Sequence, residues 1–132
     1  MKRVFLSFLH EDVWEVNQFR AMIGNEYVGA LAYDQSLKDP VRSLSSDYVA
    51  QKIGELIDRS SLAILLVSYK TWEDPRGWLR WELDRAWGSG KSIGAMKFKN
   101  APMATRPPFL SNYNNLQVSS WDIDTIRKWM QD

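Results

Sequence analysis

The stretch at residues 62–97, LAILLVSYKTWEDPRGWLRWELDRAWGSGKSIGAMK, organises the fold of this chain. It opens with the apolar run Leu62–Val67, which predicts a strand buried on both faces, as in the middle of a parallel sheet. Asp74 and Pro75 predict a helix start, because aspartate caps a first turn and proline suits the first helical position. Residues 93–98 predict the next strand, so the stretch forms one βαβ unit.

Further strands and helices alternate on either side of this unit. Strands are predicted at residues 3–8, 27–33 and 116–119, and helices begin near His10, at Ser45 or Ser46, and at Asp122. Polar or proline-rich loops cover residues 34–44 and 100–115. This order predicts one α/β domain over residues 1–132, with a flavodoxin-like three-layer fold. We expect a mainly parallel five-stranded sheet with helices on both faces, Leu62–Val67 at its centre and Val4–Ser7 beside it.

Composition excludes several classes of function. The chain has 132 residues, a net charge of +1 and no cysteine. The charge gives no electrostatic basis for binding nucleic acid or an anionic membrane. No apolar run is long enough to span a bilayer, and the absence of cysteine excludes disulfides and thiolate catalysis and fits a reducing compartment. We therefore expect a cytoplasmic protein. Its seven tryptophans are more than so small a core needs, so we expect some of them to line a pocket or an interface.

Polar and aromatic side chains follow the ends of two predicted strands. In open parallel sheets, ligands bind outside the carboxyl ends of the strands, where the strand order reverses. In a flavodoxin-like sheet this point lies between the first and third strands, which end here in Ser7-Phe8 and Ser68-Tyr69. The loops behind them add His10, Asp12, Lys70 and Trp72. These residues predict a cleft without specifying its ligand.

Two segments resemble the TIR (Toll/interleukin-1 receptor) domains. RVFLSF at residues 3–8, followed by an acidic helix start, resembles their first motif, and LLVSYKTWEDPRGWLRWELDRA at residues 65–86 resembles their catalytic segment. In that segment a Trp-x-x-x-Glu-Leu-type helix carries a glutamate, and the matching residues here are Trp78, Glu82 and Leu83. The resemblance covers about residues 2–97 and is closest to the bacterial TIR-like branch, including the TIR proteins of Thoeris anti-phage systems.

The resemblance implies an enzyme that cleaves the nicotinamide–ribose bond of NAD, with Glu82 in the catalytic position. From their positions at strand ends and around the predicted cleft, we expect substrate contacts from seven further residues: Ser7, Phe8, Asp34, Ser68, Tyr69, Trp72 and Trp78. NAD is the substrate, and neither a cofactor nor a metal is expected. The chain departs from receptor-type TIR domains, having Lys38-Asp39-Pro40 instead of a Pro-Gly loop and Lys128-Trp129 instead of a Phe-Trp motif. These departures weaken an adaptor function more than an enzymatic one.

Three functions stay open at this point. One carboxylate suffices for NAD cleavage, because nicotinamide leaves as a neutral molecule and only a ribosyl oxocarbenium ion needs stabilising. The second function is a non-catalytic TIR-like interaction module, and the third is a nucleoside deoxyribosyltransferase-like enzyme with a nucleophilic glutamate. For the first, the family implies self-association for activity. The expected setting is anti-phage defence, in which a separately encoded effector binds a linear or cyclic ADP-ribose product.

Overall fold

The structure, a computed structural model, describes residues 3–23 and 46–131. Within these ranges strands and helices alternate: β1 Val4–Ser7, α1 Val13–Ile23, α2 Ser46–Asp58, β2 Leu62–Val67, α3 Trp78–Gly88, β3 Ser92–Lys97 and α4 Ile123–Met130. Short 3-10 turns lie at His10–Asp12, Thr71–Glu73 and Pro108–Asn112. The predicted strand at residues 27–33 and the loop at 34–44 lie outside the described residues. None of the described helices combines the length and apolar character that a membrane span requires.

The three strands form a parallel sheet in the order β1-β2-β3. Ser7 pairs with Leu65, and Leu65 pairs with Ala95. All six residues of β2 are buried, as the uninterrupted apolar run predicts. The central position of β2 and its pairing with β1 are therefore confirmed within the described residues.

The edge of the sheet beyond β3 differs from the prediction. Residues 116–119 form a single parallel bridge, between Ser119 and Met96, rather than a strand. Asn114 and Asn115 have positive φ angles, and the Leu116 amide donates to the Leu110 carbonyl, so the chain is still turning at this point. The described residues thus establish a three-stranded parallel sheet with one added bridge, and the five-stranded sheet stays a prediction.

The helices bury most of the apolar positions that helical spacing predicts, but Trp87, predicted on the buried face of α3, is 46% exposed. Helix α2 contacts α3, α1 contacts α4, and α3 contacts all three strands. The buried helical positions are Val16 and Phe19 in α1, Ile53, Leu56 and Ile57 in α2, Leu79, Leu83 and Ala86 in α3, and Ile126 and Met130 in α4. These contacts fix α3 directly against the carboxyl end of β1.

Helix α3 begins at Trp78, three residues later than predicted. Asp74 and Gly77 have positive φ angles of 37° and 71°, and the Gly77 amide donates to the Asp74 carbonyl, so Pro75 lies in a turn. Asp74 still caps the helix, because its carboxylate accepts the amide hydrogens of Leu79 at 3.2 Å and Arg80 at 3.1 Å. The predicted N-cap was nonetheless wrong by position, since Gly77 precedes the first helical residue, although the Asp74 carboxylate still accepts hydrogen bonds from the first turn.

Residues 98–122 pack onto the domain instead of forming a loose connection. Tyr113 is buried, and its hydroxyl donates to the Asp84 carboxylate on α3 at 2.5 Å. Arg106 donates to the Leu116 carbonyl at 2.9 Å, which ties the two arms of the segment together. The segment therefore anchors α3 through the Tyr113–Asp84 hydrogen bond.

Candidate functional site

The two predicted site residues that lie furthest apart in sequence meet in a buried hydrogen bond. Ser7 ends β1, Glu82 lies in the second turn of α3, and the Ser7 hydroxyl donates to Glu82 Oε1 at 2.6 Å. Both side chains have 0% exposed area. A buried carboxylate is costly unless its oxygens are hydrogen-bonded, and the Ser7 hydroxyl supplies one such hydrogen bond to Glu82.

We expect Ser7→Ala to lower the free energy of unfolding by about 1–3 kcal/mol, the usual cost of leaving a buried polar group short of a partner. The fold should persist, because alanine fits the space that serine leaves. Urea denaturation at neutral pH measures the change, with Ser61→Ala on the surface as the matched control. A loss equal to that of the control would show that the Ser7–Glu82 bond contributes nothing.

A small hollow lies between the end of β1 and the start of α3, and we call it the β1–α3 hollow. Its volume is about 90 Å³, and its lining is Phe8, Leu9, His10, Glu11, Asp74, Pro75, Arg76, Trp78 and Leu79. It brings together Phe8 and Trp78, two of the predicted substrate contacts. Sites for drug-sized ligands measure roughly 300–1,000 Å³, so this hollow can hold only part of a dinucleotide.

A second hollow lies beyond the end of β2, and we call it the β2 hollow. It measures about 280 Å³ and is lined by Glu11, Asp12, Glu15, Ser68, Tyr69, Lys70, Phe98, Asn100 and Ala101. Ser68 and Tyr69 were predicted to contact substrate, and the structure places both here. Three carboxylates with one lysine suit the hydroxyl groups of a sugar, which carboxylates bind as hydrogen-bond acceptors.

Asp12 is the most perturbed acid in this hollow. Burial raises the pKa of its carboxyl, Glu15 and Glu11 add to the rise, and a hydrogen bond with Ser68 and the charge of Lys70 oppose it. Asp12 Oδ2 is buried and has no hydrogen-bond partner among the described residues. The raised pKa means that ionised Asp12 costs stability.

We expect Asp12→Asn to stabilise the protein at neutral pH by less than about 1 kcal/mol, since partial exposure screens the effect. The sign follows from the raised pKa: the unfolded state ionises more readily, so ionisation favours unfolding. The advantage of asparagine should shrink as the pH falls through the raised pKa and Asp12 becomes neutral. Thermal unfolding between pH 4 and 8 measures this trend, with Glu11→Gln as the control. An advantage that does not change with pH would contradict it.

The structure does not bring all of the predicted site residues together. Trp72 is 46% exposed and lines neither the β1–α3 hollow nor the β2 hollow. Trp78 is half-buried and packs edge-to-face on Trp81, with ring centroids 5.6 Å apart. Asp34 lies outside the described residues. The structure therefore joins Ser7 to Glu82, Phe8 to Trp78 and Ser68 to Tyr69, and leaves Trp72 at the surface.

Sequence reasoning missed two tryptophans near this edge of the sheet. Trp14 is 65% exposed on α1, and Trp121 lies just before α4, where both line a third hollow. Each stands beside charged or polar residues, in Trp14-Glu15 and Ser120-Trp121-Asp122. A tryptophan in such polar surroundings is a signal that could have indicated a surface site.

Comparison with protein families assigns most of this chain. Residues 5–102 match the family described as "Thoeris protein ThsB, TIR-like domain". The match runs from β1 past the end of β3, and it includes both Ser7 and Glu82. A comparison with curated proteins found no match. The resemblance seen in the sequence is thus confirmed, and the chain belongs to the TIR-like domain family of the Thoeris protein ThsB.

Proposed function

We propose that this protein cleaves the nicotinamide–ribose bond of NAD and releases an ADP-ribose signal, linear or cyclic, in bacterial anti-phage defence. The observation that carries the proposal is the buried Ser7–Glu82 hydrogen bond of 2.6 Å at the carboxyl end of β1. Phe8 and Trp78 line the adjoining hollow, where an aromatic ring could stack. Membership of a TIR-like family supports the assignment.

The reaction needs one carboxylate and no general acid. The bond between ribose C1′ and the nicotinamide nitrogen breaks, and its electron pair stays on that nitrogen, so nicotinamide leaves as a neutral molecule. The Glu82 carboxylate stabilises the positive charge that develops on the ribose. Water then adds to C1′ and loses a proton, which gives ADP-ribose. If an adenine nitrogen or a ribose hydroxyl adds first, the product is cyclic.

Ser7 acts in this scheme as a positioning residue. Its hydroxyl holds Glu82 Oε1, which fixes the carboxylate relative to the end of β1. Fixed charges are more effective than mobile ones, because no reorganisation is needed as the transition state forms.

Burial of Glu82 supports a resting state of low activity. Its side chain has no exposed area, and the adjoining hollow of about 90 Å³ is small for a dinucleotide. Self-association of the domain, which the family resemblance implies, would supply the change that opens the site. An NAD-cleaving enzyme that is inactive when dilute spares its cell, and a separately encoded effector would then bind the product.

The same burial favours a second candidate, a non-catalytic TIR-like interaction module. In that case the exposed aromatic residues Trp14, Trp72 and Trp87 would serve assembly. The deoxyribosyltransferase-like alternative loses support, because the family match is to a TIR-like domain.

The proposal also includes a single cytoplasmic domain over residues 1–132 and a five-stranded flavodoxin-like sheet that contains β1, β2 and β3.

Release of nicotinamide from NAD tests the proposal. Purified protein is incubated with NAD over a wide range of protein concentrations, with and without extract from infected cells, and the products are separated by chromatography. We expect nicotinamide release with a specific activity that rises with protein concentration. No release under any condition would leave the interaction module as the function. A specific activity that stays constant across protein concentrations, with and without the extract, would contradict activation by self-association.

A further inference from the structure

A third hollow lies where α1, the end of β3 and the residue before the last helix meet, and we call it the Trp14 hollow. Its volume is about 410 Å³, within the range of small-molecule sites. It is lined by Trp14, Glu15, Gln18, Phe19, Phe98, Lys99, Asn100 and Trp121. The fold explains its place, because ligands in open parallel sheets bind beyond the carboxyl ends of the strands.

The lining combines aromatic walls with amide groups. Trp14 leaves 65% of its surface exposed, and Trp121 packs edge-to-face on Phe19 with centroids 5.6 Å apart. Trp14 and Gln18 lie one helical turn apart, on one face of α1. A planar heterocycle can stack on such indole rings. Carboxamides such as Gln18 and Asn100 match the paired donor and acceptor that adenine presents at its N6 and N7 positions.

Charged residues add to this match. The Asn100 amide donates to Glu15 Oε1 at 3.5 Å, so a carboxylate lies among the groups that could accept hydrogen bonds from an exocyclic amine. Lys99 also lines the hollow, and Lys70 lines the β2 hollow. Two lysines along this edge suit the negative charge of a diphosphate.

The three hollows adjoin one another along the edge of the sheet, because neighbouring hollows share lining residues. The Trp14 hollow shares Glu15, Phe98 and Asn100 with the β2 hollow. The β2 hollow in turn shares Glu11 with the β1–α3 hollow. Ser7 in β1 lies in register with Ala95 in β3, and two strand spacings separate them by roughly 10 Å. An extended dinucleotide is long enough to follow this edge.

We propose that the Trp14 hollow binds the purine base of the substrate, so that NAD lies across the ends of the three strands. The inference rests on the proposed function, since it assigns the adenosine half of the same substrate. The nicotinamide half would then lie in the β1–α3 hollow, which is lined by Trp78, one helical turn before Glu82.

Equilibrium binding of the two halves of NAD tests the site without any need for turnover. Calorimetry measures AMP and nicotinamide mononucleotide separately against the whole protein. We expect Trp14→Ala to raise the Kd of AMP about ten- to a hundredfold, the scale of one lost base-stacking contact. Gln18→Leu should also weaken AMP binding. Both variants should bind nicotinamide mononucleotide as the original protein does.

Trp87→Ala is the matched control, because Trp87 is also exposed and lines none of the three hollows. It should leave the Kd of AMP unchanged. Failure of the unsubstituted protein to bind AMP at millimolar concentration would overturn the assignment. So would AMP binding that Trp14→Ala and Trp87→Ala weaken equally.

Measuring KM and kcat for NAD distinguishes a failure of the purine site from a failure of the proposed function. In a protein that cleaves NAD, Trp14→Ala should raise KM for NAD tenfold or more with little change in kcat. Cleavage of NAD with an unchanged KM would overturn the purine site and leave the proposed function standing. AMP binding that depends on Trp14, in a protein that releases no nicotinamide, would support the purine site and contradict the proposed function.

Discussion

Replacing Glu82 with glutamine should remove NAD cleavage while leaving the fold intact. Glutamine keeps the size of the side chain and can still accept the hydrogen bond from Ser7. It lacks the negative charge that, in the proposed reaction, stabilises the ribosyl oxocarbenium ion. Loss of one preorganised electrostatic group costs about 10²–10³-fold in kcat. Nicotinamide release at saturating NAD, in assembled protein, measures the effect.

Glu73→Gln is the control for this change. Glu73 is an exposed glutamate in the turn before α3 and lines none of the three hollows, so the same substitution there should leave turnover unaltered. Circular dichroism and urea denaturation establish that both variants are folded. A folded Glu82→Gln variant that releases nicotinamide at the original rate would show that Glu82 is a structural residue.

Truncating Trp78 should have the second largest effect on catalysis. Trp78 lines the β1–α3 hollow with Phe8 and lies one helical turn before Glu82. Its ring is held edge-to-face by Trp81 at 5.6 Å, which orders a flat surface for the nicotinamide ring. Loss of a stacking contact is worth about 1–3 kcal/mol, so kcat/KM for NAD should fall about tenfold or more in Trp78→Ala.

Trp129→Ala supplies the comparison, because Trp129 serves the sheet and not the hollow. A Cβ added at Gly94 in β3 would lie 2.7 Å from the Trp129 ring, so the indole packs directly on the glycine. We expect Trp129→Ala to lower the free energy of unfolding and to leave KM unchanged below the unfolding temperature. Equal losses of kcat/KM in the two variants, at matched fractions of folded protein, would show that both tryptophans are structural.

Local patterns determined most of the elements that the structure describes. The apolar run at residues 62–67 specified a central strand, because a strand buried on both faces has no polar face. Helical spacing located the buried faces of the helices, and Asp122 was identified as the cap of α4, where it accepts the Asp124 amide hydrogen at 3.0 Å. Each of these depends on neighbours a few residues away, which a sequence displays directly.

Boundaries and edges depended on more distant contacts. The first residue of α3 was misplaced because the backbone conformations of Asp74 and Gly77 decide where the turn ends. The last predicted strand is only one bridge, at Ser119. Residues 114 and 115 have positive φ angles and turn the chain shortly before it. Neither outcome follows from hydrophobic periodicity, since both are set by how the segment packs on its neighbours.

The sequence by itself determined the family, because the motifs around Ser7 and Glu82 are each contiguous in the chain. It also predicted that both residues belong to the candidate site. Only the tertiary structure decided how these motifs meet. Parallel pairing of β1 with β2, and packing of α3 on β1, bring a serine and a glutamate 75 residues apart to 2.6 Å. The complete burial of Glu82 and the raised pKa of Asp12 arise the same way. Burial and the pKa shift both depend on how much water the packed helices and strands exclude. That amount cannot be read from a local pattern of residues.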